Sequence, residues 1–190
     1  MKRIVLVVFL SIAALAASTT MSTASQVFLQ RSADGALVHS SSGFVFPIEV
    51  GSFLRDRVTQ YDQAGDDVSV GYNNVSVDSP VAATVYVYPA RGGSLTGEFA
   101  NRQSEVTQFH PDAKLVATSS VVIAPSQVTA MVASYAFTDV FAGVSQPLRS
   151  ELLVAQFGEK FVEYRFTYPA AVEQACHNAV NAFEQKFAWP

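Results

Sequence analysis

Apolar residues fall at every second position from Val68 to Tyr72, with Ser69 and Gly71 between them, which is the period of a strand with one buried face. Residues 55–61 precede it across the acidic turn Asp62-Gln63-Ala64-Gly65-Asp66, so the two arms predict a β-hairpin. Residues 83–88 are dominated by apolar and aromatic side chains, which predicts a central strand covered on both faces. Pro89 ends that strand, and Arg91-Gly92-Gly93-Ser94 leads into a helix on which Leu95, Phe99, Val106 and Phe109 form an apolar stripe. His110-Pro111-Asp112 stops the helix. Two strands are predicted next, over 115–123 and 128–137, parted by Ala124-Pro125-Ser126. After a loop around Gly143, a second hairpin runs over 148–157, turns at Gly158-Glu159-Lys160 and returns over 161–168. On its return arm Val162, Tyr164, Phe166 and Tyr168 share one face, and Glu163, Arg165 and Thr167 the other. Pro169 opens a final helix with a single apolar stripe of Val172, Ala175, Cys176, Ala179, Val180, Phe183 and Phe187.

Strands, helix, strands, helix, with antiparallel hairpins, place the chain in the α+β class: a largely antiparallel β-sheet covered by two main helices. Phe44-Val45-Phe46-Pro47, short, aromatic and closed by proline, suits an edge strand at the entry to the domain. Before it, residues 25–42 are polar and weakly patterned, a lead-in with room for one strand around Val27-Phe28-Leu29. The single domain therefore spans 43–190. Its element order, with 83–88 feeding a helix and a late hairpin feeding a terminal helix that ends Ala182-Phe183-Glu184-Gln185-Lys186-Phe187, resembles the Mog1/PsbP-like fold, a sandwich found in small exported bacterial proteins of unknown function. That resemblance covers the chain from about Phe44 onward and rests on element order. Members of the group range from a nuclear-transport factor to a photosystem subunit, so the likeness implies no activity and carries over no catalytic residue.

The N-terminus changes the picture. Met1 is followed by Lys2 and Arg3, then by an apolar run over 4–10 that resumes after Ser11 and continues to Ala17. This is the pattern of a secretory signal peptide over 1–24, too short to span a bilayer with ordinary flanks. Cleavage is expected after Ala24, behind Ser22-Thr23, with Ala16 the alternative; no cysteine stands near either site to take a lipid. The mature product, roughly 165 residues, is the size of one ordinary domain. Losing Lys2 and Arg3 leaves 10 of the 12 basic residues against 16 acidic ones, a net charge of −6. Without a basic cluster such a chain is a poor candidate for nucleic acid or anionic lipid. No later apolar stretch reaches spanning length, so no stable membrane insertion of the mature chain is expected, and a periplasmic or secreted location follows.

Candidate chemistry is sparse. Cys176 is the one cysteine, so no internal disulfide can close, and its place in the apolar stripe, about 100° from the neighbouring His177, makes it an inert core thiol rather than a nucleophile. His39, His110 and His177 lack metal-ligand spacing, and no metal or other cofactor is expected. Asp62, Asp66 and Asp67 could collect calcium, but they lack an EF-hand order and suit the turn that holds them. Arg91, Gly92, Gly93 and Ser94 offer an anion site, since a glycine-rich turn before a helix leaves amides pointing outward beside a fixed cation; two glycines also serve any tight strand-to-helix connection. Arg55, Arg57 and Tyr61, with Thr59, are expected to share one strand face as a ligand face, and equally suit a solvated one. No Gly-x-Ser-x-Gly elbow, Ser-x-x-Lys pair or catalytic-cysteine signature is present. The expected function is an exported, non-enzymatic module for an unidentified protein or small-molecule partner. The alternatives are a hydrolase or other enzyme with a dispersed site, and a structural envelope or host-interaction factor.

Overall fold

The computed structural model describes residues 29–124 and 126–190, so the expected signal peptide and its cleavage sites at Ala24 and Ala16 lie outside the described residues. Three short strands, β1 (Leu29–Arg31), β2 (Leu37–His39) and β3 (Val45–Phe46), pair antiparallel into a small sheet. The stretch read as a polar lead-in with room for one strand thus holds two. The main sheet joins β4 (Glu49–Val50), β5 (Phe53–Gln60), β6 (Val68–Asn74), β7 (Val81–Pro89), β8 (Lys114–Ile123), β9 (Val128–Phe141), β10 (Val144–Phe157) and β11 (Lys160–Pro169). Their spatial order is β4-β5-β6-β7-β11-β10-β9-β8, antiparallel throughout. Helix α1 (Leu95–Phe109) follows β7, and α2 (Glu173–Lys186) follows β11 after a 3-10 turn at Ala170–Val172. The expected α+β class and antiparallel sheet with two helices are present.

Each face of the sheet carries an apolar core. Towards α2, Val68, Val70, Tyr72, Val85, Val87, Tyr164, Phe166, Cys176, Val180, Phe183 and Phe187 form the larger core. Phe183 packs edge-on against Phe53, Tyr72 and Phe166, the arrangement ring quadrupoles favour. Trp189, beyond α2, touches Phe44 just before β3, Phe157 of β10 and Tyr164 of β11. Towards α1, the second core gathers Tyr88, Phe99, Val106, Tyr135, Leu152 and Phe161.

Three expectations change. The second face of β7 is not closed: Ala82, Thr84 and Tyr86 are half-buried while Val81, Ala83, Val85 and Val87 are buried. The end of the α1 stripe is free, since Phe109 is 73 % exposed. The strands predicted over 128–137 and 148–157 extend to Phe141 and back to Val144, closing on Ala142 and Gly143 with φ of 51° and 82°, the left-handed pair of a tight hairpin turn. Pro147 is tolerated within β10 because β11 ends opposite Leu148, leaving β10 with β9 as its only neighbour there.

Candidate functional site

The polar face of β11 is where α1 and the sheet leave a gap. An open cleft of about 370 Å³ lies between α1, β7, β11 and the β5–β6 turn. Alternation on β11 turns Glu163 and Arg165 into it, and the same alternation on β7 brings Tyr86 and Tyr88. From α1, Glu98, Arg102 and Glu105 arrive on one helix edge because they are spaced i, i+4 and i+7.

Glu163 is 1 % exposed at the cleft floor. Its carboxylate accepts from the Nε of Arg165, and the Tyr88 hydroxyl stands 3.2 Å from its other oxygen. That hydroxyl is also 2.9 Å from Glu98 Oε1, so one phenol proton serves two carboxyls. Burial pushes the Glu163 carboxyl up, and Arg165 and Arg102 pull it back only in part. Glu105 bridges the two guanidinium groups, with Oε1 2.7 Å from Arg102 Nη1 and Oε2 2.9 Å from Arg165 Nη2. Arg102 Nε lies 2.7 Å from Glu98 Oε1. Each guanidinium also sits over a ring, Arg102 on Tyr88 at 5.4 Å and Arg165 on Tyr86 at 5.7 Å. Asp67, from the acidic turn, lines the cleft as well, its carboxyl raised by burial and then by Asp62. Glu105, Glu163 and Asp67 line the cleft with Arg102 and Arg165, and Glu98 pairs with Arg102 beside it, so four carboxyls meet two guanidinium groups here, with Arg91 and Lys160 acting on Asp67 from outside the cleft lining.

The walls are aromatic. Tyr61 stacks on Tyr86 with centroids 6.5 Å apart, and its hydroxyl lies 3.0 Å from Ser69 Oγ. Tyr61 and Phe109, 55 % and 73 % exposed, flank the mouth.

Of the residues expected to form a ligand face, Tyr61 reaches this cleft and Arg55 does not. A β-bulge between Arg55 and Val58 shifts the register of β5 against β6, so Arg55 opposes the core residue Tyr72, whereas Thr59 opposes Ser69. The shared face of Arg55, Arg57, Thr59 and Tyr61 is therefore broken. Arg55 donates instead to the carbonyls of Phe46 at 2.6 Å and Gly35 at 2.9 Å, tying the small sheet to the large one. Arg57 is exposed.

The loop of Arg91, Gly92, Gly93 and Ser94 is an intact strand-to-helix turn. Ser94 caps α1, accepting from the Gly97 amide at 3.1 Å, and the Gly93 amide donates to Ala90 O at 2.8 Å. A Cβ at Gly93 would stand 3.1 Å from that carbonyl and 3.5 Å from the Phe161 ring. Cys176 is fully buried, its thiol donating to the Pro80 carbonyl at 3.5 Å and pushed up by burial. The histidines are not brought together: His39 is in the core, His110 stacks on Phe137, and His177 lies beside Glu151. Asp62 accepts from the Asp66 amide, and Asp66 pairs with Lys160 at 3.1 Å, so those two carboxyls serve the turn and its anchorage.

Sequence reasoning passed over Glu98, Arg102, Glu105, Glu163 and Arg165. The polar edge of α1 and the polar face of β11 were each legible. Nothing local said that they meet.

No protein-family profile matches the sequence, and a comparison with curated proteins finds no match. Among solved structures, the chain is similar to a Pseudomonas aeruginosa protein of unknown function, proposed to be a regulator, at a TM-score of 0.52 and 13% identity over 74% of this chain and 99% of that one. It is also matched by PsbP from the cyanobacterium Synechocystis sp. PCC 6803, at a TM-score of 0.47 and 12% identity over 86% of this chain and 94% of that one. At this identity the likeness to the Pseudomonas protein is one of fold.

Proposed function

We propose that the protein is an exported, non-enzymatic binding module whose ligand, carrying a hydrophilic cationic group, enters the cleft between α1 and β11. The observation that carries this reading is a set of four carboxyls against two guanidinium groups in and beside an open, tyrosine-walled cleft, with Glu163 buried at its floor. The two arginines are already held by carboxylates, and what the cluster lacks is positive charge. A guanidinium or ammonium group supplies it, and the exposed Tyr61 at the mouth offers a ring on which such a group is attracted. Export is supported by the basic pair and apolar run of the first 24 residues.

Agmatine, citrate and glucose discriminate the ligand classes in an amide NMR titration. Agmatine is expected to shift the amides of Tyr61, Tyr86, Arg102 and Glu163, while citrate and glucose leave them in place. Glu163→Gln, which keeps the shape of the side chain, and Tyr61→Ala, at the exposed mouth, should each weaken agmatine about tenfold, the scale of one lost charged or cation–π contact. Shifts from citrate alone, or none from agmatine, would sink the reading.

A further inference from the structure

On the opposite face of the sheet, a groove of about 260 Å³ runs between α2 and the β8–β9 hairpin. Its strand side is apolar, with Val121, Val122, Ile123 and Leu153; Val121 and Val122 are 40 % and 59 % exposed. Its helix side is polar, with Asn181, Glu184 and Gln185 along one edge of α2. The Glu184 carboxyl is half-buried, yet among the described residues it makes no hydrogen bond and no ion pair, whereas those of Glu98, Glu105, Glu151 and Glu163 each have a partner. The titratable groups facing it are Glu151 from β10, His177 from α2 and the buried Tyr164 from β11; the hairpin residues of the groove bring none. Burial first and Glu151 second push the carboxyl up to about 7, against a pull from His177.

A neutral apolar ligand would fill this groove and leave the carboxyl without a partner. An anion would meet Glu184 and Glu151 together. We propose that the groove is a second binding site, taking a small ligand that joins an apolar body to one protonated amine, the amine on Glu184 and the body against Val121 and Leu153, which alternation along β8 and β10 turns to the α2 face. Each half of the ligand then meets its own chemistry: apolar area leaves water and the lone carboxylate gains a counter-charge.

Octylamine is the probe, with octanol as its neutral counterpart and octanoate as the anionic one. Trp189, the only tryptophan in the chain, has its ring 6.1 Å from that of Tyr164, which lines the groove, so its fluorescence reports occupancy. Octylamine should bind at least tenfold more tightly than octanol or octanoate. It should also bind about tenfold more tightly at pH 8 than at pH 6, because the ionised fraction of a carboxyl centred near 7 rises by about that factor while the amine stays protonated. Glu184→Gln should bring octylamine down to the level of octanol without weakening octanol, and Val121→Ser should weaken both. Equal binding of octylamine by Glu184→Gln, equal binding of octanol by the wild type, or no response to octylamine would each overturn the proposal. Tyr61→Ala, on the other face, must leave octylamine binding unchanged, so failure of the cleft reading and failure of this one are separable.

Discussion

His39 shows how one side chain can fasten two sheets. It is fully buried, with Nε2 2.8 Å from the Gly65 carbonyl and Nδ1 2.6 Å from Ser42 Oγ. A carbonyl only accepts, so Nε2 carries the proton and Nδ1 accepts from the serine hydroxyl. Burial lowers the histidine below its usual range and keeps the ring neutral. In the unfolded chain the ring takes a proton near pH 6.5, before the folded one does, so this contribution to stability is complete above about pH 6.5 and fades as pH falls through that value. Glu163 and Glu184, both raised, impose the opposite slope, so the difference between wild type and variant is the quantity to follow. In urea unfolding, His39→Gln should cost about 1–3 kcal/mol at pH 7.5 and noticeably less at pH 5.5. The buried state of Cys176 was legible from its place in a helical stripe. That of Glu163 was not, because its neighbours along β11 say only that it faces away from Tyr164.

At the scale of elements, α1 was legible from a start signal, a stop signal and a spacing that agree on Leu95–Phe109. Its cap can be tested: Ser94→Ala removes the acceptor for the Gly97 amide and should lower stability by about 1 kcal/mol in thermal or urea unfolding, without moving ligand affinity at the cleft. The apolar stripe was right in Phe99 and Val106 and wrong in Phe109, which lies where α1 overhangs the cleft mouth. Strand β5 failed for a different reason. Period-2 reasoning assumes an unbroken ladder, and a bulge sends Arg55 and Tyr61 to opposite faces. Strand β8 reads as an ordinary strand, and its exposure along most of its length follows from lying last in the sheet, a position that the strand itself does not encode.

At the scale of the molecule, the eight-stranded sheet divides two cores, and the chain end closes the larger one. Trp189 links Phe44, β10 and β11 through its ring contacts, so Trp189→Ala should lose about 3 kcal/mol, read as a lower urea midpoint by circular dichroism. The sequence by itself determined the class, the hairpins, both helices and the faces of β6, β11 and α2, because these depend on spacing within a single segment and on turn residues that act locally. Only the tertiary structure decided that β11 pairs with β7, that a bulge turns Arg55 away from Tyr61, and that the polar face of β11 lies beneath the polar edge of α1. Those outcomes depend on contacts between residues far apart in the chain, such as Glu105 with Arg165 and Tyr88 with Glu163, and no local period records which distant face will supply the partner.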